Sequence, residues 1–279
     1  MKSFFGPHRS QCMIAALSCL ATMAVAAATP ATATETGLER ARARGELVAG
    51  IKYPVPEYKG GMKFRTAEAI DTELLQDLAQ RLQLRVSMVK AEPAKAETAL
   101  ASGKADVVLA TVPEGVVLPA SITAIPAGYI ARPMAIMRSD TDIKSWQQLK
   151  GRKVCTSEGG LYVGMLAAKY GAVEQLVRAP ADSLLALRIG GCDAAVHDSA
   201  MLEELTRLPE WKKFSARLTP GPASTLAFLV PVADKATTAM LKRVSNEWSS
   251  SQFPEQLTKK RVRHIAFEVY LDQDVPDCH

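Results

Sequence analysis

The chain has no C-x-x-C pair and no cluster of histidines. Its 5 cysteines and 4 histidines are scattered through 279 residues. A Cys or His metal centre needs such ligands at short spacing, so none is expected. There is no strong excess of one charge either: the formal net charge is +5, too mild for a surface that tracks a nucleic acid backbone. Nor is the chain poor in apolar residues. At 48% hydrophobic and 23% charged it is not a disordered chain, and its length gives core enough for one large domain or two smaller lobes.

The first segment is set apart by its lack of charge. Lys2 and Arg9 precede an uncharged run over residues 13–28, and Ala31-Thr-Ala33 offers a small-residue cleavage site before Thr34. That is the pattern of a secretory signal peptide over 1–33. A membrane anchor and a lipoprotein are the alternatives. The run is about 16 residues where a spanning helix needs about 20, and Ala16-Leu17-Ser18 before Cys19 is a poor lipobox. Without this segment 32 basic residues face 29 acidic ones, a charge of +3.

Two stretches share one grammar. Ala99-Leu-Ala-Ser-Gly-Lys-Ala-Asp106 and Ala186-Leu-Arg-Ile-Gly-Gly-Cys-Asp193 both read A-L-x-x-G-x-x-D, and each runs into a short apolar strand, at 107–110 and 194–196. Two helix-turn-strand units so far apart suggest two similar α/β lobes; a solenoid would repeat every ~20–50 residues in more copies. In the second unit Leu184, Leu185 and Leu187 follow Asp182, a good helix N-cap residue, and Gly190-Gly191 stop the helix as a left-handed cap would. His197 and Asp198 then end the strand. Open α/β sheets bind ligands at that carboxyl edge.

Helices are expected at 37–44, at 70–82, from Pro93 to Gly103, and at 143–149, 163–170, 201–208, 236–248 and 254–262; strands are expected at 46–51, 84–89 and 154–157. Residues 127–137 and 226–230 read as strand-like crossovers. Pro54 and Pro56 deny ladder donors to the segment after the first strand, which makes 52–61 a loop. A second loop, with Gly159-Gly160 before the helix at 163, would let a ligand approach backbone N–H groups.

Cys12 and Cys19 leave with the signal segment, so Cys155, Cys192 and Cys278 remain. Exported proteins meet an oxidising compartment, where thiols pair. Cys155 and Cys192 fall on strands of the same lobe and are the favoured pair, with Cys278 free or competing. Three unpaired thiols is the other reading.

The order of these motifs resembles the bacterial extracellular solute-binding proteins of family 3, the periplasmic receptors of polar amino acid ABC importers. The matching residues are Arg44-Gly-Glu-Leu-Val-Ala-Gly-Ile51, Ile70-Asp-Thr-Glu-Leu74, Leu100-Ala-Ser-Gly-Lys-Ala-Asp106, Leu149-Lys-Gly-Arg-Lys-Val154 and Cys192-Asp-Ala-Ala-Val-His-Asp198. They span almost all of the chain after residue 33. The resemblance implies an α/β, two-lobed periplasmic-binding-protein-like (type II) fold whose lobes are joined by two crossover strands, lobe 1 at 34–131 and 228–279 and lobe 2 at 132–227. It also implies that Asp198 pairs with a ligand ammonium, that Gly159 and Gly160 offer backbone donors, and that Lys52 and Tyr58 meet the ligand side chain. Thr111, Ser157 and His197 complete the candidate contacts.

One departure concerns the ligand. Amino acid binders of the family usually carry T-x-E-R after the strand of the first repeat, the arginine gripping the α-carboxylate. Here the stretch is Thr111-Val-Pro-Glu-Gly115. Either Arg132 or Lys52 supplies the charge from another loop, or the ligand lacks an α-carboxylate. An arginine between Ala131 and Pro133 near a crossover is expensive to desolvate without an anion, which favours Arg132.

The implied function is a monomeric receptor in the periplasm that captures a small polar ligand, an amino acid or a related compound, for an ABC permease in the inner membrane. No cofactor, metal, catalysis or nucleic acid is implied. Two other readings keep the scaffold. A dehydratase-like enzyme would need a general acid or base in the cleft, for which His197, Asp198 and Glu114 are the candidates. An accessory or sensory partner of a periplasmic dehydrogenase would account for the missing arginine.

Overall fold

The computed structural model describes residues 35–56 and 63–273. The expected signal segment, Tyr58 and Cys278 lie outside the described residues. Among the described residues ten strands form two five-stranded mixed sheets. The first holds β1 (Glu46–Ile51), β2 (Arg85–Lys90), β3 (Val107–Pro113), β4 (Ile122–Ala131) and β10 (Ser224–Pro231), in the order β2-β1-β3-β10-β4. The second holds β5 (Pro133–Met137), β6 (Lys153–Ser157), β7 (Val173–Val177), β8 (Ala194–Asp198) and β9 (Ala216–Arg217), in the order β7-β6-β8-β5-β9. In each, parallel strands are covered by helices, so the central strands read as short continuous apolar runs rather than alternations.

The repeated grammar has a structural cause. Asp106 lies fully buried before β3, where its carboxylate accepts the Val48 N–H at 2.9 Å while its own N–H donates to Val48 O at 2.8 Å. Asp193 does the same before β8, accepting from Lys153 N at 2.8 Å and donating to Lys153 O at 2.9 Å. One aspartate in each lobe thus fixes the register of the incoming strand against its neighbour. Arg44 pairs with Asp106 and satisfies its charge.

The helices follow their apolar faces. α1 (Gly37–Arg44) begins with a capping box from Thr36 and Glu39, and α2 (Asp71–Leu82) buries Leu74, Leu75 and Leu78. α3 (Ala96–Ala101) follows a 3-10 turn at Pro93–Lys95. α4 (Met165–Tyr170), α5 (Pro180–Arg188) and α6 (Ser199–Leu205) cover the second sheet, and α7 (Lys235–Ser250) buries Trp248 against Phe228. The indole N–H of Trp248 donates to Asp77 at 2.6 Å, which removes the cost of burying it.

Several expectations shift. Asp182 is not the N-cap of α5: the cap is Ala179, because Pro180 takes the first helical position, and Asp182 stands in the first turn. β7 has no counterpart in the sequence reading; it is an edge strand with Val173 and Leu176 exposed, so its apolar signal is weak. The first crossover is a single residue, since β4 ends at Ala131 and β5 begins at Pro133. The second runs through residues 218–223, and 226–230 belongs to the first sheet within β10. Gly221 lies against the first crossing: its N–H donates to Pro133 O at 2.8 Å, and a Cβ there would stand 2.7 Å from the Pro133 ring.

The closing helix α8 (Phe253–Asp272) outruns its expected end at 262. It bridges the two cores. Leu257 joins the core that contains Leu74 and Phe228, while Val262, Ile265 and Val269 join the core that contains Met134 and Leu184.

Cys155 of β6 and Cys192 before β8 form a disulfide with Cα atoms 5.9 Å apart. The bridge closes a loop with a sequence separation of 37, which in the chain-entropy account stabilises the fold by roughly 4 kcal/mol. Cys192→Ser is therefore expected to lower the melting temperature by about 8–15 °C. Differential scanning calorimetry checks this, and a variant that melts with the oxidised protein would contradict it.

Candidate functional site

The carboxyl ends of the two sheets meet at a small cavity of about 30 Å³, lined by Glu68, Ala69, Ile70, Asp71, Thr111, Tyr129, Leu161, Asp198 and Leu226. That is room for one or two waters. Each wall has a local cause. Tyr129 follows a bulge in β4, where the register with β10 shifts between Leu226 and Ala227 and Gly128 adopts φ +81. The bulge turns the Tyr129 ring inward, beside Leu226. Asp198 ends β8, opposite Pro133 and so next to the sheet switch. It is also the N-cap of α6, accepting from Ala200 N at 3.2 Å, and it takes the Tyr162 hydroxyl at 3.2 Å on its other oxygen.

Glu68 crosses from the segment before α2 into the second sheet's edge. Its Oε2 lies 2.7 Å from His197 Nδ1 and also accepts from Ser157 Oγ. His197 Nε2 meets Ser183 Oγ at 2.9 Å. Burial works to raise the Glu68 pKa, but His197, Ser157 and Arg261 outweigh it and hold the carboxyl below its usual range. A carboxylate only accepts, so Nδ1 carries the proton of this bond.

The other two acids are pushed the opposite way. Burial lifts Asp198 to about 7, against the Ala200 N–H and the Tyr162 and Tyr129 hydroxyls, with the Glu68 charge adding to the rise. Burial also lifts Asp71 to about 6, opposed by the Thr72 N–H. Burial raises both phenols as well, and Asp198 beside them adds to it, so Tyr129 and Tyr162 stay protonated donors.

The sequence candidates fall into two groups. Thr111, Ser157, His197 and Asp198 converge: Thr111 and Asp198 line the cavity, and Ser157 and His197 stand behind it, both holding Glu68. Lys52 and Arg132 are exposed, Arg132 at the switch between the sheets rather than desolvated. Gly160 N–H is committed to Ser157 O at 2.9 Å, and the left-handed Gly159 is pressed by Tyr53, whose ring would lie 2.5 Å from a Cβ there. The Tyr53 hydroxyl reaches Glu158 across the lobes at 2.9 Å. Glu114 does not line the cavity. Among the described residues no group of three His, Cys, Asp or Glu could hold a metal ion.

Sequence reasoning did not single out Glu68, Asp71, Tyr129 or Tyr162 as site residues. For Glu68 the only signal was a lone acid between Ala67 and Ala69 ahead of an apolar helix. It is held there by contacts far away in sequence. Arg261 of α8 donates to the carbonyls of Ala67 and Glu68 and pairs with Glu73, Thr66 donates to Glu268, and Arg65 bridges Asp182 and Asp272.

The raised pKa of Asp198 sets the sign of a pH dependence. The folded state holds a proton there that the unfolded chain loses near pH 4, so this group costs stability as pH rises from about 4 to about 7. Asn keeps the cap and accepts the same hydroxyl. Asp198→Asn should therefore match the wild type near pH 4 and be more stable by a few kcal/mol at pH 8, the shift corresponding to on the order of 4 kcal/mol. Urea unfolding at both pH values checks it; a variant weaker than wild type at pH 8 would contradict it.

No protein-family model matches the chain, and no curated protein matches it either. Solved structures do. A mutant of ArgBP from T. maritima is 19% identical, with 82% of this chain and 100% of that chain covered at a TM-score of 0.55. The amino acid ABC transporter substrate-binding protein AbpA from Streptococcus pneumoniae, bound to L-arginine, is 16% identical over 81% of this chain and 98% of its own, also at 0.55. An ancestral cationic amino acid solute binding protein is 17% identical over 81% of this chain and 100% of its own, again at 0.55. At such identities the likeness carries the architecture: the chain has the two-lobed α/β fold of these binding proteins.

Proposed function

We propose that the chain is a periplasmic solute-binding receptor that captures a small polar ligand, an amino acid or a related compound, between two lobes and presents it to an ABC permease in the inner membrane. The observation that carries this reading is that Thr111 and Tyr129 of the first sheet and Asp198 of the second line one small cavity, with Ser157 and His197 buried behind it. In this reading the lobes divide near the two crossings at 131–133 and 218–223, export depends on residues 1–33, and the receptor works as a monomer without catalysis. The solved structures named above, amino acid binders among them, support it.

The chemistry of the site fits capture. Asp198, near half ionised at neutral pH, is ready to lose its proton beside a ligand ammonium. Tyr129, Tyr162 and Thr111 offer hydroxyls that orient rather than react. Domain closure desolvates all of them, and a buried charge-assisted hydrogen bond discriminates far better than an exposed one.

Thermal shift against a panel of amino acids, amines and small carboxylates tests the proposal. A ligand at about 100 times its dissociation constant adds about 2.7 kcal/mol, a rise of roughly 5–10 °C. A panel that moves nothing, together with no small molecule released on gentle denaturation, would overturn it.

A further inference from the structure

The cavity that remains between the lobes, about 30 Å³, is too small for an amino acid, and Glu68 forms part of its wall. Its side chain is only 4% exposed and comes from the first lobe, yet both of its side-chain partners belong to the second. Those partners are built for an anion. Ser157 is fully buried at the end of β6, and His197 is 1% exposed on β8 with its far nitrogen fixed by Ser183. Without a carboxylate between them, two buried donors would lose their acceptor. The backbone of Glu68 is clamped from α8 by Arg261, which donates to its carbonyl at 3.1 Å, and Thr66 two residues earlier is tied to Glu268. Around it the lobes are in contact: Leu161 and Ala200, from the second, pack on the core of the first.

We propose that the Glu68 carboxylate is a built-in stand-in for the ligand: it occupies a carboxylate subsite formed by Ser157 Oγ and His197 Nδ1 and closes the two lobes without a small molecule. A ligand takes the site by putting a carboxylate of its own in place of this one. That last step rests on the receptor reading above, while the self-closure stands on geometry. The subsite also relieves the need for an arginine at Gly115, because the anion is gripped from the second sheet instead.

The test uses purified protein, with no ligand added, as wild type, Glu68→Ala and Glu68→Gln. Small-angle scattering reads closure, and melting temperature is read in sodium acetate against sodium chloride at equal ionic strength. The wild type should have a radius of gyration near 18 Å, as a compact chain of this size does. Glu68→Ala should be larger and melt lower by on the order of 10 °C; acetate should restore both in this variant and leave the wild type unmoved. If Glu68→Ala does not fold, Glu68→Gln carries the test, since it keeps the volume and loses the charge. An extended wild type, a Glu68→Gln indistinguishable from wild type in both readings, or an acetate effect equal in wild type and Glu68→Ala would each overturn the proposal. A wild type that no compound in the panel stabilises, beside a Glu68→Ala that acetate rescues, would sink the receptor reading and leave the self-closure standing.

Discussion

A buried carboxylate shared across two lobes governs this molecule. Glu68 gives up nearly all of its water, and its desolvation is offset by the His197 and Ser157 donors and the nearby Arg261 charge. Such a contact is demanding. If either lobe moves away, one side is left with an unpaired charge and the other with unpaired donors, so this contact opposes opening. Burial lifts the neighbouring Asp198 to about 7, and the Glu68 charge beside it adds to the rise.

The rest of the fold supports this contact by fixing the pieces that carry it. Asp106 and Asp193 set strand register in their lobes by the same pair of backbone bonds. The two crossings run side by side, Gly221 against Pro133. α8 ties both cores together and clamps the segment from 65 to 68 through Arg261, Glu268 and Asp272. The disulfide stiffens β6 against β8, the two strands that present Ser157 and His197.

Much of this was legible in the amino acid order, for local reasons. The A-L-x-x-G-x-x-D repeat, the apolar runs that end in polar residues and the capping residues are short-range signals, and they pointed to two α/β lobes with His197 and Asp198 at a strand end, while the Cys155–Cys192 pair followed from the export signal and from both cysteines falling on strands of one lobe. What escaped depends on contacts between residues remote in sequence. Glu68 meets His197 across 129 positions, and nothing near Glu68 announces it. Tyr129 turns inward because of a bulge that only strand pairing reveals. The length of α8 was hidden because it buries different faces against two cores, so no single apolar stripe runs along it. Arg132 looked too costly to leave without an anion; the switch between sheets keeps it in solvent, where that cost vanishes.

Glu68 and its partners share their energy across the cleft. A double-mutant cycle of Glu68→Gln with Ser157→Ala, read by urea unfolding at neutral pH, measures that energy directly. It should return a coupling of about 1–3 kcal/mol, as expected for a buried hydrogen bond to a charged group. Two substitutions that simply add, within roughly 0.5 kcal/mol, would mean that the lobes are not held together there.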